Sequence, residues 1–167
     1  MPDQTNELVQ ALIGESAHAA PSHILEALDE DKARRQVTGA PHTIYEELWH
    51  MAFWQQVSLD WIAGTETPYP AAPCDAFPNQ AQAAEQWPDL GCRFFAGVEQ
   101  GVAIAHDSAQ LMRIVRCPSR PGQPIREMTV QDQLLSVAAH NAYHFGRIVL
   151  LRQLLGFWPP PSGGFRW

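Results

Sequence analysis

"VAAHNAYHFGRIVLLRQLLGFWPP", residues 137–160, sets two histidines, His140 and His144, inside an otherwise apolar pattern. A helix advances about 100 degrees per residue. With His140 at zero, Leu151 falls at about 20 degrees, His144 at about 40, Val137 and Leu155 at about 60 and Ile148 at about 80. The segment is therefore an amphipathic helix whose buried stripe contains both imidazoles. Residues four apart on a helix are neighbours, so the two rings can reach one point. Thr129 and Asp132 have capping spacing at its start, and Gly156 followed by Pro159 stops it, giving a helix over about 129–155.

The same pattern extends outward along the chain. "HTIYEELWHMAFWQ", 42–55, opens a second helix over about 43–63. Thr43 and Glu46 are spaced as a capping box, and Gly64 closes the helix. With His50 at zero, Trp61 lies at about 20 degrees, Trp54 at about 40, Glu47 at about 60 and Val57 at about −20. His50 thus shares an apolar stripe too. A further helix falls within 80–116, broken or begun near Pro88, and an N-terminal one spans about 4–30 with an interruption near Pro21. Strict alternation is absent and β-branched runs are short, so strand signals are weak. Pro- and Gly-rich stretches at 64–79, 117–124 and 156–164, with a shorter break at 38–41, read as loops or tails. Four long helices predict an all-α fold, an antiparallel four-helix bundle forming a single domain over 1–167. The loops 64–79 and 117–128 are long for simple hairpins and suit crossovers or a cap over one end.

The composition of this 167-residue chain agrees with one core and narrows the partners. The formal net charge is −7, and the densest basic stretch, "KARR" at 32–35, follows four acids in 26–31. Nucleic acid and anionic membranes are not expected as partners. Three cysteines, Cys74, Cys92 and Cys117, form no close pair and suggest reduced thiols in the cytoplasm. The start lacks the apolar core of a signal peptide. Glu99 and Arg152 interrupt the longest apolar stretches, so no membrane span is expected.

Two helices packed about 8–10 Å apart can bring His50 onto the His140–His144 pair. Three neutral imidazoles around one divalent cation, with one position open, is a catalytic-metal arrangement. The plainer alternative is a set of core histidines satisfied by hydrogen bonds. His18, His23 and His42 lie near breaks or caps, and His106 has no partner three or four residues away; these four are read as non-ligands. Acyl-transfer elbows, Gly-rich phosphate loops and the H-E-x-x-H motif are all absent from the sequence.

The segments 42–55 and 140–160 together resemble the DinB-like superfamily of DinB/YfiT metalloenzymes, and the resemblance covers nearly the whole chain. It implies a four-helix bundle with a three-histidine divalent-metal site. The "LWH" histidine maps to His50, and the "H-x-x-x-H-x-G" pair maps to His140 and His144. It further implies a metal-dependent enzyme on a small-molecule substrate, most readily a transferase using a low-molecular-weight thiol. A metal-dependent hydrolase and a non-catalytic metal-binding or interaction protein are the alternatives. The metal would be zinc, nickel or iron, all compatible with imidazole. Members are often dimers, and the Trp-rich second helix offers apolar surface, so a homodimer is expected. One position departs from the family: Gln commonly follows "HxG", and here Arg147 does. On the wheel it lies at about −20 degrees, on the ligand side. Its partner is expected to be Glu46 or Glu47, or, as a substrate-binding residue, the anionic group of a substrate.

Overall fold

The computed structural model describes residues 4–14 and 18–163. Its helices are α1 (Gln4–Ile13), α2 (Pro21–Ile24), α3 (Glu30–Ala33), α4 (Ile44–Ala63), α5 (Trp87–Ala105), α6 (Ser108–Leu111) and α7 (Val130–Leu154). Strands β1 (Ile114–Cys117) and β2 (Arg126–Thr129) form one antiparallel hairpin, in which Cys117 faces Arg126. The fold is all-α apart from this arm.

The caps lie where the sequence puts them. The Thr43 hydroxyl accepts from Glu46 N–H, and the Glu46 carboxylate accepts from Thr43 N–H, closing a reciprocal box. Gly64 ends α4 in the left-handed region at φ 91°, open to glycine without strain. Thr129 caps α7 by accepting from Asp132 N–H. Pro88 begins α5 rather than breaking it, because a first-turn proline has no intrahelical donor to lose.

Helix α4 packs on α5 and α7, and α1 packs on the same two, so the bundle runs α1–α5–α4–α7 around its ring. The bundle is not uniformly antiparallel. Tyr45 bonds Glu85, Arg93 lies over Trp49, and the Gln55 amide bonds the Phe94 carbonyl. Those pairs ascend together, so α4 and α5 run parallel, whereas α7 descends along α4. A parallel neighbour requires a crossover, which is why 64–86 is long. The N-terminal expectation is also revised: α1 stops at Ile13 and two short helical turns follow, while 15–17 lie outside the described residues. Helix α5 ends at Ala105 instead of running on towards 116.

The hairpin is the main departure. Its strands are too short for periodicity to reveal, and a lone hairpin is marginal in water. It is held because Val115 and Cys117 are buried against the bundle while Ile114 and Arg116 face out.

Two apolar clusters fill the interior. One gathers Ile44, Leu48, Met51, Leu90, Phe94, Phe145 and Ile148. The other gathers Leu8, Leu12, Val57, Trp61, Leu134 and Val137. Between them, buried Gln55, Ser58, Gln133 and Asn141 make a polar waist joined by Gln133–Ser58 and Asn141–Gln55 hydrogen bonds. A Cβ at Gly97 would collide with the Gln55 amide, so glycine there is what admits Gln55 to α5. The buried Arg152 guanidinium ties α7 to the carbonyls of Ile24, Glu26 and Phe157, which satisfies a charge that would otherwise be costly.

Trp49 and Trp61 of α4 are buried within the chain. Large exposed apolar residues include Tyr143, Leu150 and Leu154 along α7, and Met112 and Ile114 at the start of the hairpin arm. No helix among the described residues is long and apolar enough to cross a membrane.

Candidate metal centre

The two longest helices build this site at the edge of the polar waist. Because α7 descends along α4, Glu47 and His50 of one meet His144 and His140 of the other. The three histidines each offer a ring nitrogen, and those atoms lie within 4.8 Å of one another. His50 Nε2 and His140 Nε2 are 3.2 Å apart.

Hydrogen bonds decide which nitrogen each ring presents. His50 Nδ1 is 2.8 Å from the Ala76 carbonyl oxygen, which can only accept, so the proton sits on Nδ1 and the Nε2 lone pair faces inward. His144 Nδ1 is 2.6 Å from Glu47 Oε2 and donates to it, freeing its own Nε2. Such outer partners fix tautomer and ring orientation for a ligating histidine. The Ala76 contact comes from the crossover, whose short 3₁₀ turn Pro73–Ala76 closes over α4. Phe77 stacks on His50 at 4.3 Å between ring centres, and His42 stacks on Phe77 at 3.8 Å. The crossover is thus also a cap.

Glu47 is fully buried. Burial pushes its carboxyl upward, but hydrogen bonds from His144 and Arg147 outweigh it and hold it below the ordinary value. Arg147 donates to Oε1 through Nε at 2.8 Å, and its Nη2 lies 2.7 Å from the same oxygen. Its Nη1 is 3.4 Å from the Tyr143 hydroxyl. The guanidinium therefore has a protein carboxylate as partner, the structural one of the two expected.

Burial is the main reason both remaining rings stay neutral. It lowers His50 to about 4, against the Ala76 carbonyl, which raises it. It lowers His140 to about 3, helped by the repulsion its protonated ring would meet from protonated His144 and His50. Neutral imidazole is the form that binds metal. The spacing fits as well. Two nitrogens held at about 2.0–2.1 Å by one tetrahedral ion stand about 3.3 Å apart. The residues present therefore suit a divalent cation. One side of the group is open: His140 borders a cavity of about 330 Å³ with Trp54, Gln55 and Ser58, and His50 borders a second of about 320 Å³ with Trp54 and Tyr69.

His18, His23 and His106 stay outside the cluster, and His42 reaches it only through Phe77. Sequence reasoning missed the Ala76 carbonyl, which no local pattern marks. It placed Glu47 on the histidine face but did not assign it to His144.

A pH dependence follows. Between about 6.5 and about 4 the unfolded chain protonates both histidines while the fold keeps them neutral. Stability of the metal-free protein is therefore fully present above about 6.5 and falls as the pH drops through that window. Urea midpoints measured in chelator from pH 7.5 downward should decline, and His140→Leu should flatten the decline. A midpoint independent of pH in both proteins would contradict the burial of neutral rings.

No curated protein matches the sequence. The sequence profile of the DinB superfamily matches residues 14–148, a span that includes α4, the capping crossover and both histidines of α7. The chain belongs to the DinB superfamily.

Proposed function

We propose that this protein is a metalloenzyme that holds one divalent ion on His50, His140 and His144 and acts on a small molecule as a thiol S-transferase. The observation that carries the reading is the convergence of three ring nitrogens beside two cavities. Zinc, nickel or iron held there would supply a Lewis acid that lowers the pKa of a thiol or water on its open side. The chain's own residues do the rest. Glu47 and the Ala76 carbonyl hold two rings in the ligating tautomer. Trp54, Trp61 and Tyr69 wall the cavity, excluding water and offering flat apolar contact. Gln55, Ser58 and Gln133 provide polar anchors on the same wall.

Thiol transfer is favoured over hydrolysis by the cavity chemistry. Among the described residues neither cavity is lined by Asp or Glu, so these walls supply no carboxylate base for water. A thiol needs less help, with an unperturbed pKa of about 8.5. The three unpaired cysteines accord with a reducing compartment, and we place the protein in the cytoplasm.

Protein purified without an affinity tag should carry stoichiometric divalent metal by elemental analysis. His50→Ala, His140→Ala and His144→Ala should each lower zinc affinity sharply, and Glu47→Ala by about 10–100-fold. Full occupancy in the triple histidine variant would refute the site. Chelation should also lower the melting temperature, since a ligand at a hundredfold excess over Kd adds about 2.7 kcal/mol.

Loaded protein, given an electrophile and a low-molecular-weight thiol, should yield a thioether adduct by mass spectrometry. Thiol-independent ester cleavage would support the hydrolase reading instead. A homodimer is the proposed assembly, with the exposed α7 residues Tyr143, Leu150 and Leu154 as its apolar surface. Light scattering should report twice the chain mass; a monomer would refute it.

A further inference from the structure

Two clefts border the histidines and a third lies against the hairpin, and Tyr69 lines all three. The first, with His140 and Trp54, includes Arg126. The second, with His50 and Trp54, includes Arg120. The third, against the turn of the β-hairpin, includes both arginines and has a volume of about 310 Å³. Among the described residues no Asp or Glu lines any of the three, although the chain has 18 acidic residues against 11 basic ones.

Most other described arginines are paired, and Arg35, which lies over the Phe157 ring, lines none of the three clefts. Arg34, Arg93, Arg116 and Arg147 each pair with a carboxylate. Arg113 and Arg152 donate to backbone carbonyls. Among the described residues, Arg120 meets no side-chain partner, and Arg126 only touches the Met128 sulfur at 3.6 Å. An unpaired guanidinium is a fork of donors suited to carboxylate, sulfonate or phosphate oxygens. A cleft lined by one sign of charge also focuses that field on a ligand inside it. Trp54 and Tyr69, 4.9 Å apart between ring centres, both line the two clefts that a histidine borders.

We infer that Arg120 and Arg126 are specificity-determining residues that admit a small molecule with an anionic end and an apolar or aromatic body. The anionic end sits at the hairpin mouth, and the body lies against Trp54 and Tyr69 with its far side towards His140. The inference rests on the reading that these clefts are the substrate site. It assigns substrate charge to the hairpin rather than to Arg147, whose fork is taken by Glu47.

The test compares two dyes with the same aromatic body. 8-Anilinonaphthalene-1-sulfonate carries an anion, and N-phenyl-1-naphthylamine does not. Both are titrated by fluorescence into the full chain, in chelator and again with zinc. Arg120→Gln and Arg126→Gln should each weaken the sulfonate about threefold to fivefold, as an exposed ion pair of about 1 kcal/mol implies, and the double variant more. The neutral dye should bind all of them equally. Arg35→Gln, an exposed arginine lying over Phe157 and lining none of the three clefts, should change neither dye. Ser136→Trp, at the exposed rim of the first cleft, should block both.

Unchanged sulfonate affinity in the double variant overturns the inference. So does equal weakening of both dyes, sulfonate binding that survives Ser136→Trp, or no saturable binding to the wild type. These results separate from the metal reading, because the dye comparison in chelator needs no ion. Loss of the charge effect with zinc binding intact would defeat only this inference. A preserved charge effect in a protein that takes up no zinc would defeat only the metal site.

Discussion

A carboxylate cannot stay ionised inside a helical bundle unless cations or donors reach it there, and Glu47 is wholly buried. Its neighbours on α4 are mostly apolar, so its partners must come across the interface. Helix α7 supplies two, His144 and Arg147, three residues apart on one face. This pairing fixes how α7 lies on α4. Rotating α7 by one residue, about 100 degrees, would withdraw both donors at once and strand the charge. The orientation of the candidate ligands is thus tied to an electrostatic requirement rather than to apolar packing, which tolerates more slippage.

That requirement shapes the interior around it. Above and below the waist the bundle has ordinary apolar clusters, which supply the folding drive. At the waist Gln55, Ser58, Gln133 and Asn141 replace hydrocarbon, at a cost their mutual hydrogen bonds offset in part, Asn141 Oδ1 being left without a partner among the described residues. Gly97 belongs to the same compromise, since it gives up packing to let the Gln55 amide reach Phe94. The crossover completes the arrangement. Parallel α4 and α5 need a long connection, and the chain uses that length to set the Ala76 carbonyl and Phe77 against His50.

What the sequence disclosed follows the range of the forces involved. The Thr43–Glu46 box, the Gly64 stop and the shared stripe of His140 and His144 are local, and a wheel or a spacing rule shows them. Bringing His50 to the pair needed one tertiary step, and the resemblance to the DinB-like superfamily fixed which helices meet. The rest depends on contacts distant in sequence. Parallel α4 and α5 leave no mark in periodicity. Residues 114–117 and 126–129 are too short to alternate visibly, and they become strands only because Val115 and Cys117 find a buried surface. Arg120 and Arg126 look like ordinary loop cations until the hairpin carries them to the cleft. Glu47 fell on the right face of the wheel, yet its hold on His144 is a relation between helices that no single helix displays.

The arginine that departs from the family pattern can be understood from charge balance at this waist. With Gln at position 147, the Glu47 carboxylate would keep its hydrogen bonds but lose its counter-charge. Its field would then act on His144 and on any cation nearby. With Arg147 in place, the pair Glu47–Arg147 is electrically balanced at 2.7–2.8 Å. Glu47 still accepts from His144 and orients it, but it contributes little net negative potential to the centre. A divalent cation on three neutral imidazoles would keep nearly its full charge towards the open side. The cationic hairpin mouth faces the same clefts, so the two features act in the same direction. With such an ion held, an acidic protein would present positive charge where His50, His140 and His144 converge.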